Sequence, residues 1–270
     1  MSDTSEIDRL EERKKGAVPV PAAMLPHLDR CALLFDIDGT LIELAPTPDE
    51  IVIPPDLPRN LLTLSQLTSG ALALVSGRTI ADIDRITAPV RLTAVGGHGA
   101  EMRFSPDGEV LAAPVKPMDS HLKRRFMAIG NLSAGILIED KGYSLALHYR
   151  LAPETERAIY DAVATIRADL PEAPIEVLAG KFVVEIKHEG FSKATAVRAL
   201  MTEPPFVGRT PIFLGDDVTD ESVFAIMADI HGIAYSVGRK AQGVAGHFDS
   251  PVDVRTWLKA MIKDRADLPR

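Results

Sequence analysis

The stretch Leu33-Leu34-Phe35-Asp36-Ile37-Asp38-Gly39-Thr40-Leu41 constrains the fold more than any other part of the chain. An apolar strand that ends in Asp-x-Asp-Gly-Thr delivers Asp36 and Asp38 to the carboxyl edge of a parallel sheet, where open α/β folds place their ligands. Two acids crowded at that edge repel each other. Mg2+ is the simplest neutralising partner, a hard cation that takes carboxylate and carbonyl oxygens and shares its other positions with water and phosphate. The competing reading is a plain turn, since Asp and Gly are ordinary turn residues.

The rest of the chain fits a parallel α/β sheet. Strands are expected over residues 32–35, 71–75, 92–95, 211–214 and 233–237, separated by helical spacing over 56–68, 79–87, 192–202 and 219–228. Residues 108–187 break this alternation. Within them 135–140, 143–149 and 175–186 read as antiparallel strands and 153–169 as a helix. The expected architecture is therefore α/β: a Rossmann-like, doubly wound parallel core from residues 30–107 and 188–270, with an inserted α+β cap over 108–187. Residues 1–29, charged at first and then carrying Pro19, Pro21 and Pro26, read as a leader and linker.

A length of 270 residues leaves room for about two domains. The net charge of −8 argues against a general binder of nucleic acid or anionic membranes, yet a few local cations still suffice to hold a phosphate. Cys31 is the only cysteine, which excludes an internal disulfide; with no signal peptide or long apolar span, a cytoplasmic location is expected. Cys31 opens the first strand and is expected to be a small core residue.

Three further motifs fall where such a core needs them. Residues 71–75 lead into Ser76-Gly77-Arg78, where the Ser hydroxyl can donate to a phosphate oxygen and Gly77 lets the backbone approach. Ser76 also reads as a helix cap, and Arg78 as either a phosphate contact or a structural ion pair. Residues 211–214 lead into Gly215-Asp216-Asp217-Val218-Thr219-Asp220-Glu221, a second acidic cluster. Acids favour a first helical turn in any case, but Asp216 and Asp217 precede the helix proper and supply metal ligands that Asp36 and Asp38 lack. Lys193 stands at an expected helix start, where the dipole disfavours a cation, so it calls for an anionic partner unless it is simply solvated.

The order Asp36-x-Asp38-Gly39-Thr40, Ser76-Gly77-Arg78, Lys193, Gly215-Asp216-Asp217-x-Thr219-Asp220-Glu221 resembles the haloacid dehalogenase phosphatase superfamily over residues 31–221. Gly97-His98-Gly99-Ala100-Glu101, Glu139-Asp140-Lys141-Gly142, Leu147-His148-Tyr149-Arg150 and Lys181-Phe182-Val183-Val184-Glu185-Ile186 resemble its trehalose-6-phosphate phosphatases. That resemblance implies Asp36 as nucleophile, taking the phosphoryl group as an aspartyl-phosphate, and Asp38 as general acid and then base. It implies Mg2+ held by Asp36, the Asp38 main-chain carbonyl and Asp216, with Asp217 and Asp220 in support. Ser76, Gly77 and Lys193 would bind the phosphoryl group, and Glu139, Lys141, Arg150, Lys181 and Glu185 the sugar.

Strand alternation places Glu139 with Lys141, and Lys181 with Glu185, on shared faces. Glu185 interrupts an apolar run and needs a partner there. The bland alternative for the cap is a solvated face laced with salt bridges. His98 and His148 read as packed rather than catalytic. The Lys motif departs from the family pattern, with Ser192 and Ala194 flanking Lys193 in place of Asp or Asn and Gly. No glycosyltransferase-sized segment precedes the unit, so a free-standing enzyme is expected, a monomer acting on a small-molecule sugar phosphate. Two rivals remain: a related phosphatase for sucrose phosphate or mannosyl-phosphoglycerate, and a receiver-like phospho-acceptor domain, against which Asp38 and the cap both argue.

Overall fold

A computed structural model of the chain describes residues 27–45, 50–115 and 118–266. The first strands are β1 (Cys31–Phe35), β2 (Leu72–Val75), β3 (Thr93–Gly96), β4 (Glu101–Arg103) and β5 (Leu111–Ala112). Next come β6 (Leu137–Asp140), β7 (Ser144–His148), β8 (Ile175–Gly180) and β9 (Val183–His188), and last β10 (Thr210–Gly215), β11 (Ile233–Val237) and β12 (Gly246–Phe248). The helices are α1 (Leu57–Leu67), α2 (Ile80–Thr87), α3 (Ser120–Met127), α4 (Glu156–Asp169), α5 (Lys193–Leu200), α6 (Val218–Ile226) and α7 (Pro251–Ala266). None of the described helices is long and apolar enough to cross a membrane. The leader expected over 1–29 lies almost wholly outside the described residues.

Eight strands form one sheet in the order β12-β11-β10-β1-β2-β3-β4-β5, parallel from β12 to β3 and antiparallel beyond. Every residue of β1 and β2 is buried, as expected of parallel strands covered on both faces. Their alternate side chains part to opposite sides. Leu33, Phe35, Leu72 and Leu74 pack with Leu57 and Leu61 of α1, Ile83 of α2 and Trp257 of α7. Ala32, Leu34, Ala73 and Val75 pack with Val197 and Leu200 of α5 and Val223 and Phe224 of α6. The result is a Rossmann-like α/β core with helices on both faces of the sheet.

The second sheet, β6-β7-β9-β8, is antiparallel throughout. Leu145, Leu147, Val184 and Ile186 turn toward α3 and α4, meeting Phe126, Ile159 and Val163 in a separate core. The other face of the sheet carries Glu139, His148, Glu176, Glu185 and Lys187. β5 lies after residue 107 yet pairs with the large sheet, through β4.

Two local expectations change. Residues 175–186 fold as the hairpin β8–β9 around Lys181-Phe182, so Lys181 sits in the turn rather than on a strand face with Glu185. Lys-Phe carries none of the Gly or Asn signal that usually marks a tight hairpin, although Phe182 takes a positive φ of 63°. Ser76 does not cap the helix that follows it. Thr79 does, its side chain accepting from the Asp82 N–H.

Candidate active site

Because β1, β2 and β10 run parallel and adjacent, their carboxyl ends reach the same edge of the sheet. Asp36 follows β1, Ser76 follows β2 and Asp216 follows β10, so three distant segments converge there. Lys193 joins them as the first residue of α5. Ser192 caps that helix, with Ser192 and Thr195 forming a reciprocal capping box, so the departure from the family pattern leaves the helix start intact. The Lys193 ammonium is buried and donates to Asp36 Oδ1 at 2.8 Å and Asp220 Oδ1 at 2.7 Å. Burial opposes its charge, but Asp220 and Asp36 together push it above its ordinary value.

Carboxylate oxygens of Asp36, Asp216 and Asp220 all lie within 4.8 Å of one another. Burial, relieved by Lys193 and reinforced by Asp220, pushes Asp36 above the ordinary carboxylate range. Burial and then the Asp36 charge push Asp216 in the same direction. Three acids facing one ammonium leave an excess of negative charge at an all-oxygen site, and that donor set fits a hard divalent cation. Gly39, at φ 74°, is required here: a Cβ on it would overlap the Asp216 carboxyl. Asp217 is the N-cap of α6 and Asp220 closes its capping box, so Asp220 serves the helix through one oxygen and Lys193 through the other.

Asp38 is held differently. Both its oxygens accept from Arg78, Nε at 2.6 Å and one terminal nitrogen at 2.7 Å, a bidentate ion pair. Arg78 thus makes the ion pair that is one of the two roles open to it. Ser76 Oγ accepts from the Arg78 N–H at 3.2 Å and lies beside Gly77 at the cleft wall.

Asp36, Asp38, Ser76, Gly77, Lys193, Asp216 and Asp217 from the core, and Glu139, Lys141, Arg150 and Lys181 from the smaller sheet, line one cleft. Glu139 accepts from His148 Nε2 at 3.0 Å; burial opposes its charge, but His148 and Lys141 hold its carboxyl below the ordinary range. Arg150 lies over the Phe182 ring at 5.1 Å and donates to the Lys181 carbonyl, bracing the hairpin tip. Glu185 stands a layer back from the cleft, accepting from Ser144 Oγ at 2.7 Å with Lys141 Nζ 3.6 Å away. Its other contact is His98 Nε2 at 2.8 Å, so the partner its buried position demanded comes partly from the core. Against the cost of burial, His98 and Lys141 hold Glu185 well below the usual carboxylate range.

Arg239 was not visible as a site residue. It donates to the main-chain carbonyls of Asp216 at 2.7 Å and Asp217 at 3.0 Å and pairs with Glu221, fixing the acidic loop from behind. Its only sequence signal is position: it follows β11, the parallel neighbour of β10, and so emerges at the same edge.

The family profile described as Trehalose-phosphatase matches residues 34–251. The trehalose-6-phosphate phosphatase of Escherichia coli is 37% identical over 240 residues, covering 88% of this chain and 90% of its own. A Sinorhizobium fredii protein named “Probable trehalose-phosphate phosphatase” is 42% identical over 219 residues, covering 80% of this chain and 81% of that one. Among solved structures, the C-terminal domain of C. albicans trehalose-6-phosphate phosphatase superposes with a TM-score of 0.78 at 24% identity, over 87% of this chain and 92% of that domain, a likeness of fold.

Proposed function

Since the chain belongs to the trehalose-phosphatase family, we propose that it hydrolyses trehalose 6-phosphate to trehalose and phosphate through an aspartyl-phosphate on Asp36, with Mg2+ as its metal. As a member of that family it is a phosphoric monoester hydrolase of the haloacid dehalogenase type, a class that works with a divalent metal. The observation that carries the finer reading is the single cleft in which an acidic cluster with a buried lysine faces a cap surface of charged side chains.

Asp36 Oδ attacks phosphorus, forming the acyl phosphate while the bond to the sugar 6-oxygen breaks. Asp38 gives its proton to that oxygen, then takes one from the water that attacks the acyl phosphate, releasing phosphate and restoring Asp36. When bound, Mg2+ on Asp36, the Asp38 carbonyl and Asp216 offsets the charge of the phosphoryl group and of the acids around it. Lys193 opposes protonation of Asp36 and orients it, Ser76 and the Gly77 backbone receive phosphoryl oxygens, and Asp217 and Asp220 hold the acidic loop in register. Asp38 cannot work while both its oxygens are engaged by Arg78. An arriving phosphate competes for that guanidinium and frees Asp38 to face the leaving oxygen.

A disaccharide presents hydroxyls and no charge, so it is recognised by side chains that both donate and accept. Glu139, Lys141, Arg150 and Lys181 provide these at the cleft, with Glu185 behind Lys141.

The test is phosphate release with Mg2+ and after chelation, comparing trehalose 6-phosphate with glucose 6-phosphate, sucrose 6-phosphate and an aryl phosphate. A metal-dependent preference for trehalose 6-phosphate is expected. Preference for another sugar phosphate would reject the substrate while keeping the core chemistry, and a stable, slowly lost phosphoprotein without turnover would reject the hydrolase.

A further inference from the structure

The short turn Gly97–Gly99, between β3 and β4, touches three working parts of the molecule. The Gly97 N–H donates to the Arg78 carbonyl at 2.8 Å and the His98 N–H to the Ser76 carbonyl at 3.0 Å, stitching the turn to the phosphate loop on both sides of Gly77. A side chain at Gly77 would overlap the His98 imidazole, so the ring is the floor on which that loop rests. Gly99 lies against the carbonyl of Ser192, the residue that caps the Lys193 helix. Just beyond the turn, Glu101 accepts from the Ile80 N–H at 2.7 Å, in the first turn of α2.

His98 carries this connection into the cap, through its bond to Glu185. Its backbone is left-handed, at φ 55°, a conformation uncommon for residues other than glycine and kept only where the surroundings over-determine it. Its Nδ1 is buried with no partner among the described residues, and its Nε2 is spent on Glu185. Glu185 in turn stands beside Lys141, which lines the cleft. A histidine needed only to fill space would require neither the strained backbone nor this one directed bond.

We propose that His98 is a positioning residue for the reaction, holding Glu185 and through it Lys141 for the sugar while its ring supports the phosphate loop, so that sugar recognition and phosphoryl binding are set by one side chain. This rests on the sugar-phosphatase reading given above. Any loss from disturbing His98 therefore has two parts: one common to all phosphate esters, through the loop, and one paid only by the disaccharide, through Glu185.

The test compares wild type, His98→Asn and His98→Gln on trehalose 6-phosphate and on an aryl phosphate, with melting curves to establish folding. Asn tolerates the left-handed backbone but is too short to reach Glu185, whereas Gln reaches it with an amide donor. Loss of one hydrogen bond to a charged partner predicts that Asn lowers kcat/KM for trehalose 6-phosphate roughly ten- to hundredfold more than for the aryl ester, with much of the change in KM. Gln restores the ratio between the two substrates. Equal losses on both substrates, or a ratio that Gln does not restore, overturn the proposal. Wild-type protein gives a reading independent of any variant's folding: with the His98 and His148 rings assigned separately, since both donate Nε2–H to a carboxylate, saturating trehalose shifts the His98 ring, and a His98 ring indifferent to trehalose overturns the proposal. Failure of the underlying activity would show earlier, as wild type without preference for trehalose 6-phosphate.

Discussion

Replacing Asp216 with Asn removes one of three carboxylates whose oxygens lie within 4.8 Å of one another. At that separation two full negative charges repel by roughly 3.5 kcal/mol at an effective dielectric of about 20, and Asp216 faces two such partners, Asp36 and Asp220. The ammonium of Lys193 is bonded to those partners, and no bond from it to Asp216 is seen among the described residues. Proton binding relieves part of the repulsion, since burial pushes both Asp216 and Asp36 above the ordinary range. An acid raised in this way favours the folded state below its unfolded pKa of about 4, and that contribution is lost as pH rises through its folded value. Metal-free wild type is therefore penalised on the alkaline side, and the Asn variant is penalised less. We expect the variant in chelator at pH 8 to be more stable by about 1–3 kcal/mol, a melting shift of roughly 2–9 °C, with the gap closing toward pH 5. Mg2+ at about a hundred times its Kd should then add ~2.7 kcal/mol to wild type and far less to the variant. Thermal melts across pH, with and without metal, measure all of this. A variant less stable than wild type in chelator at pH 8 would refute the idea of an overcharged cluster. Equal gains from Mg2+ would remove Asp216 from the ligand set.

Asp36→Asn should abolish turnover, because an amide cannot attack phosphorus, while calorimetric titration still detects trehalose 6-phosphate; substantial residual activity would take Asp36 out of the nucleophile role. Lys193→Met leaves Asp36 and Asp220 as buried acids without their cation and should destabilise the metal-free protein by about 3–5 kcal/mol in urea unfolding. A loss under about 1 kcal/mol would mean that the two acids neutralise themselves by binding protons. Arg78→Lys should fall in kcat/KM as far as Arg78→Ala, since an ammonium lacks the paired donors with which the guanidinium leaves Asp38 and meets the arriving phosphate. Recovery with Lys would show that charge alone matters at that position.

The residues of this edge were legible because each follows an apolar run that reads as a buried parallel strand: Phe35 into Asp36, Val75 into Ser76, Leu214 into Gly215 and Asp216. Parallel pairing then brings them together whatever the intervening sequence. Lys193 was legible from its conflict with the helix dipole, and the buried contacts to Asp36 and Asp220 resolve that conflict. What stayed hidden depends on packing between segments. Arg239 acts through main-chain carbonyls, which leave no trace in residue type. His98 looked like a packed histidine because Glu185, its partner, lies in the other sheet, and no local pattern links the two. The turn at Lys181-Phe182 was hidden because neither residue is a usual turn former and apolar residues stand on both sides of it.

The pairing of β1 with β10 sets the order in which the molecule can assemble. Cys31 meets Thr210 and Phe35 meets Leu214, so the central strand finds one of its two neighbours only after the whole second sheet has been synthesised. The contacts within β6 to β9 are local by comparison, and local contacts close first. During synthesis the smaller sheet can therefore be complete while β1, an entirely apolar strand, still lacks cover on one edge. In pulse-labelled hydrogen exchange during refolding, amides of β7 and β9 should gain protection before those of β1. A nascent chain released before β10 would expose an apolar, unpaired strand edge open to aggregation.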